Sequence, residues 1–138
     1  MKEKKARNLI PLVIIIALLA LFLRIFLSRL IKENIAQNDS FALDTLKVMA
    51  TALENYADDH LGNFPEDFSN LTNASPPYIE EDYLKKSPLK GYIYSCPRLD
   101  SSGYQCMATP VKCNYTGKMV YTVTTAGVVN AEECAKRE

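Results

Sequence analysis

Residues 9–23 read Leu9-Ile-Pro-Leu-Val-Ile-Ile-Ile-Ala-Leu-Leu-Ala-Leu-Phe-Leu23, an apolar run without a single charge and the only one of membrane length in the chain. Crossing the hydrocarbon of a bilayer takes about 20 helical residues. Ile25, Phe26, Leu27, Leu30 and Ile31 extend the run, interrupted by Arg24, Ser28 and Arg29. Those arginines can lift their guanidinium groups toward lipid head groups if the span ends there. Pro11 is expected in the first turn or two of the helix, where a missing N–H does little damage.

The basic cluster Lys2, Lys4, Lys5 and Arg7 precedes the run. A removable export signal ends in small residues at alternate positions. Here the run leads instead into Arg24-Ile-Phe-Leu-Ser-Arg29, so the sequence predicts an uncleaved single-pass anchor over residues 9–31. The basic leader, residues 1–8, favours a cytoplasmic N-terminus and a chain that exits outward. The net charge of zero over 138 residues hides an asymmetry. Through Lys32 there are seven Lys/Arg against Glu3 alone, whereas from Glu33 onward nine Lys/Arg face fifteen Asp/Glu. An acidic outer part argues against nucleic acid, whose binding needs clustered cations to displace counterions.

The four cysteines, Cys96, Cys106, Cys113 and Cys134, all lie in the last third. Without a close Cys-x-x-Cys pair a zinc site is disfavoured, and an even count beyond a membrane reads as a disulfide framework. Three connectivities are open. Tyr92-Ile-Tyr-Ser-Cys96 and Tyr104-Gln-Cys106 flank the turn-rich Asp100-Ser-Ser-Gly103, which reads as a hairpin. Cys96 and Cys106 are equidistant from Ser101, which favours Cys96–Cys106 together with Cys113–Cys134.

Phe41, Ala42, Leu46, Met49, Leu53, Tyr56 and Ala57 recur at spacings of three and four, one apolar helical stripe. No Pro or Gly occurs between Pro11 and Gly62, so one long helix is expected through about residue 61. Gly62 is expected to supply the left-handed stop, with Pro65 beyond it. The stripe, with Leu46, Met49, Leu53 and Tyr56 as its large members, is expected to pack on the domain's own sheet. Residues 62–90, punctuated by Pro65, Pro76, Pro77 and Pro88, read as a pinned loop with a short helix from Glu66 to Leu71. Tyr92/Tyr94/Cys96, Met119/Tyr121/Val123 and a last strand from Gly127-Val-Val alternate as strands do. The predicted class is therefore α+β: a long N-terminal helix, membrane-embedded in its first half, on a small antiparallel sheet over residues 91–134.

No residue set calls for catalysis or a cofactor. His60, the single histidine, follows Asp58 and Asp59 at a helix end without converging partners and reads as a solvated turn. Glu80-Glu81-Asp82 reads as a solvated acidic loop. Four Asn-x-Ser/Thr triplets, at Asn38, Asn70, Asn73 and Asn114, are the kind that arise by chance in polar loops. No nucleophile–base pair, phosphate loop or metal-ligand spacing is visible, so an enzyme is not expected.

The stretch Leu43-Asp-Thr-Leu-Lys-Val-Met-Ala-Thr-Ala-Leu-Glu-Asn-Tyr-Ala-Asp-Asp-His-Leu-Gly-Asn-Phe-Pro65-Glu-Asp-Phe-Ser-Asn-Leu71 resembles the helix end and following loop of type IV pilin-like proteins. It is most similar to the major pseudopilin of type II secretion. Pro77-Tyr-Ile79, Gly91-Tyr-Ile-Tyr94, Gly117-Lys-Met-Val-Tyr121 and Ala126-Gly-Val128 follow the same rhythm, and Leu53 to Leu71 is the most specific piece. The resemblance implies a pilin-like fold, a bacterial inner-membrane location with a periplasmic or extracellular domain, and assembly with other pilin-like subunits and secretion or pilus machinery into a homo-oligomer or filament. It places membrane and filament packing on Leu9, Ile10, Pro11, Leu12, Ile16, Leu19 and Leu23. The family's processing junction falls at Ala6 and Arg7 and is degenerate. Ala6 stands where the family has glycine, Arg7 where it has phenylalanine, and Pro11 where it has the glutamate thought to pair with a neighbour's amino terminus. The C-terminal acidic loop that binds calcium in the secretion family corresponds to Thr124-Thr-Ala-Gly-Val-Val129, which has no carboxylate to offer. Two readings follow: a filament subunit or accessory, and a membrane-anchored binding domain that keeps the fold and does not polymerise.

Overall fold

The computed structural model describes residues 2–136, with side chains from Leu9 onward. It is α+β: one long helix, α1 (Lys2–Asp59), a single-turn helix α2 (Ser69–Thr72), and an antiparallel sheet of β1 (Tyr92–Asp100), β2 (Gly103–Pro110), β3 (Met119–Thr124) and β4 (Val128–Glu133). The strands lie in chain order, a four-stranded meander. Two compact units divide the chain, Met1–Asn34 and Ile35–Glu138.

The first unit is helix alone. Because α1 begins at Lys2, Pro11 falls deeper than the first turn or two: it is inside the helix, where its ring removes one backbone hydrogen bond. From Leu9 through Ile31 every apolar side chain is exposed, on all sides of the helix. A helix that is apolar all round is not a surface helix of a soluble protein.

In the second unit, α1 buries Ile35, Ala42, Leu46, Met49, Ala50, Leu53 and Ala57. From Ala42 their main repeat, 42-46-49-53-57, is the spacing of one helical face. Against it pack Tyr92, Tyr94, Tyr104, Cys106, Ala108, Tyr121 and Val123 of the sheet, with Phe64, Phe68, Leu71 and Ile79 of the loop. Two members of the expected stripe differ. Phe41 is exposed, because it lies about a hundred degrees round the helix from Ala42. Tyr56 is half-buried and meets the rings of His60 and Tyr78, so it packs on the loop instead of the sheet.

The helix stop also differs from expectation in its register. Gly62 N–H donates to the Ala57 carbonyl at 2.8 Å, the long bond of a Schellman motif. In that motif the residue before the donor takes the left-handed conformation, and it is Leu61, at φ 58°. Gly62 follows at φ 84°. Leu61 is 97% exposed, so it carries backbone strain without any packing in return. Leu61→Gly is expected to raise stability by about 1 kcal/mol. An unchanged or lowered urea midpoint would count against this account of the stop.

The short helix is one turn, Ser69–Thr72, instead of Glu66–Leu71. The Asp67 carboxylate accepts the Ser69 N–H at 2.7 Å and so starts the turn after itself. Beyond it Leu71 is fully buried and pins the loop.

The β1–β2 hairpin closes through Ser101-Ser102, with Asp100 paired to Gly103. The Asp100 carboxylate takes the Ser102 N–H at 2.8 Å, the Ser102 hydroxyl, and the Arg98 guanidinium at 2.9 Å. The Ser102 bonds, then Arg98, hold its carboxyl well below the usual carboxylate range. A regular ladder from this turn would set Cys106 opposite Pro97. A register shift between Ser95 and Arg98 adds one residue to β1 and brings Cys96 to Cys106 instead. Pro97, which has no N–H to give a ladder, sits in that irregular stretch. The second disulfide joins Cys113, ahead of β3, to Cys134, just after β4, with Cα atoms 5.8 Å apart.

Tyr92 occupies a seat cut for it. Its ring is fully buried, and a Cβ built on Gly117 would overlap the Tyr92 hydroxyl and ring carbons. Gly117→Ala is therefore expected to destabilise the domain by about 2 kcal/mol, the usual penalty for overpacking a core that cannot yield. Tyr92→Phe keeps the ring and will not relieve the overlap. A wild-type urea midpoint for Gly117→Ala would show that the ring does have room to move.

Candidate membrane segment and domain surfaces

The strongest functional feature is the apolar part of α1. It contains a stretch of mean hydropathy 2.9, none of it buried, long and apolar enough to cross a membrane. Leu9, Ile10, Leu12, Ile16, Leu19 and Leu23 are each more than half exposed, and Pro11 is exposed among them. Burying such side chains in hydrocarbon or against another helix stabilises each by about 1.5–3 kcal/mol. Arg24 and Arg29 fall within the last turns of this segment, and Ser28 satisfies its hydroxyl on the Ile25 carbonyl at 2.8 Å. The Ala6–Arg7 junction lies outside the residues whose side chains are described.

The rest of α1 is clamped to the sheet by two carboxylates that sequence reasoning passed over. Asp39 accepts the Tyr92 hydroxyl and the Lys118 N–H at 3.0 Å. Glu54 accepts the Tyr104 hydroxyl at 2.8 Å and the Ala126 N–H at 2.7 Å, while the Gly127 N–H donates to the Tyr104 hydroxyl at 3.2 Å. Each acid sits three or four residues from a buried alanine of the stripe, Asp39 before Ala42 and Glu54 between Ala50 and Ala57. An acid on an apolar face was the available signal. Burial first, then the neighbouring carboxylate, raises both phenols above the ordinary tyrosine range. The turn Thr125–Gly127 thus gives its Ala126 N–H to the helix and its Gly127 N–H to the phenol of β2.

The other sequence candidates are local. Asp82 caps the Leu84 and Lys85 N–H groups at 3.1 Å each and pairs with Lys85 at 3.3 Å, and Glu81 pairs with Lys86 at 2.7 Å. The exposed Glu81–Lys86 pair contributes about 0–1 kcal/mol. Among the described residues no three His, Cys, Asp or Glu side chains converge as metal ligands would. His60 is not simply a solvated turn residue: its ring lies parallel on Tyr56, centroids 3.8 Å apart, and its Nδ1 donates to the Tyr56 carbonyl at 2.7 Å. That pair opens on a cleft of about 520 Å³, lined also by Asp59, Asn70, Asn73 and Tyr78.

No protein-family model, no curated protein and no solved structure matches the chain.

Proposed function

We propose that the chain is a pilin-like (pseudopilin) subunit or accessory of a type II secretion or type IV pilus filament system, working by helix packing and subunit assembly. The observation that carries this reading is the exposed apolar half of α1, Leu9–Ile31, on the same unbroken helix whose later turns form the spine of the sheet domain. The residue likeness over Leu53–Leu71 and the two disulfides beyond the apolar segment support it. On this reading the apolar half lies in a bacterial inner membrane with its N-terminus cytoplasmic. The disulfide-bonded domain faces the periplasm or the outside and meets other pilin-like subunits and their machinery. In hydrocarbon, helices associate by close packing and not by the hydrophobic effect. The chemistry is therefore assembly, with no bond made or broken.

Pro11 favours a second reading. It stands where the family's glutamate would make its intersubunit ion pair, and it offers no charge. That fits a monomeric membrane-anchored binding domain with the same fold that does not polymerise. A photo-crosslinking residue at Leu19 in native membranes separates the two. A ladder of multimers is expected for the subunit, and monomer alone would leave the anchored domain. Release of the chain by alkaline extraction would sink both.

A further inference from the structure

The cleft at the end of α1 is not needed by the assembly reading, and its side chains are set out like a binding site. Tyr56 and His60 stack face to face, and Tyr78 meets Tyr56 edge-on at 5.4 Å, giving an aromatic wall. Tyr78 donates to Asp59 Oδ2 at 2.8 Å, which fixes that ring and leaves the other Asp59 oxygen free to accept. Because His60 Nδ1 donates to a carbonyl, its Nε2 is an acceptor in the neutral ring. The side-chain amides of Asn70 and Asn73 make no hydrogen bond among the described residues, and each offers both donors and an acceptor.

The ligand chemistry follows from this list. A bound cation would call for several carboxylates, and the cleft lining has one, Asp59, half engaged by Tyr78. Sugar hydroxyls donate and accept at once, as free amides do. The C–H face of a pyranose is attracted to the negative face of an aromatic ring. The volume falls within the range of small-molecule sites. We propose that the Tyr56–His60–Tyr78 cleft, with Asn70, Asn73 and Asp59, binds a neutral oligosaccharide.

The test uses the full chain in lipid nanodiscs, since sugar-headed detergents would compete. The probes are cellotetraose, maltotetraose and the tetramer of N-acetylglucosamine, titrated by calorimetry and followed by tyrosine fluorescence. Saturable binding of at least one probe is expected. Asn70→Ala and Asn73→Ala, both at exposed positions, are each expected to weaken it at least tenfold with an unchanged circular dichroism spectrum. Lys47→Ala, in the separate groove beside Val123 and Val129, should leave it unaltered. The proposal is overturned if no tetrasaccharide binds saturably, or if binding survives both asparagine substitutions. Because the probes address the sheet domain's cleft and not the apolar helix, neither result depends on whether the chain polymerises.

Discussion

Reduction of both disulfides is expected to unfold the sheet domain or leave it on the edge of unfolding. Cys96–Cys106 closes a loop of sequence separation 10 and Cys113–Cys134 one of 21. In the chain-entropy account each closure stabilises the fold by about 3 kcal/mol, because the open chain has many more unfolded states. A domain of this size has about 5–15 kcal/mol in all. Losing both bonds therefore removes about 6 kcal/mol, a large part of the total. The single variants should each fall about halfway, as the loops do not overlap: Cys96→Ser with Cys106→Ser, and Cys113→Ser with Cys134→Ser. Urea titrations of the full chain with and without reductant measure this directly. A midpoint that reductant leaves in place would mean that helix–sheet packing alone sustains the domain.

Alkali is expected to destabilise the domain steeply from about pH 10 upward, the ordinary tyrosine pKa. Tyr92 and Tyr104 are fully buried, and their phenols are raised above that range, by burial first and by Asp39 or Glu54 second. A pKa raised in the folded state stabilises below the unfolded value and loses that contribution as pH climbs toward the folded one. Above pH 10 the unfolded chain sheds these protons while the folded chain keeps them, so stability falls with pH. The slope is about 1.4 kcal/mol per pH unit for each such group. For the two together, about 3 kcal/mol is gone by pH 11. Tyr104→Phe lowers stability at neutral pH by removing a hydrogen bond, yet it should flatten the alkaline slope by about half. A slope identical to wild type in Tyr92→Phe and Tyr104→Phe would assign the alkaline loss to other groups.

The parts of the fold readable from sequence are those governed by neighbours in the chain. The absence of Pro and Gly after Pro11 made α1 legible as one helix, and alternation around Asp100–Gly103 made the hairpin legible. The equidistance of Cys96 and Cys106 pointed to the right pair partly through a compensation. The turn is centred between Ser101 and Ser102, and the irregularity at Ser95–Arg98 makes up the half-step. What sequence did not disclose depends on distant partners. Asp39 meets Tyr92 and Glu54 meets Tyr104 across more than forty intervening residues, and no local pattern encodes either pairing. Phe41 and Tyr56 joined the apolar stripe by residue type, although the face that is buried runs through the smaller Ala42 and Ala57. Gly62 drew the helix stop to itself, while the bonding from Ala57 puts the left-handed residue at Leu61. The apolar segment was plain from composition. The cleft was not, because Tyr56, Asn70, Asn73 and Tyr78 are unremarkable until the loop folds back on the helix end.

The meander order has a consequence for how the domain comes to completion during synthesis. Every strand pairs with its predecessor, so each new hairpin can add to a sheet already begun. Cys96 and Cys106 both belong to the first hairpin and can meet before β3 exists. Cys113 must wait for Cys134, which follows the last strand. Until then Cys113 is the one thiol of the domain with no rightful partner yet made. Its bond acts as a record that the whole chain has arrived: a chain truncated after β3 keeps both cysteines of the first bond and lacks Cys134 for the second.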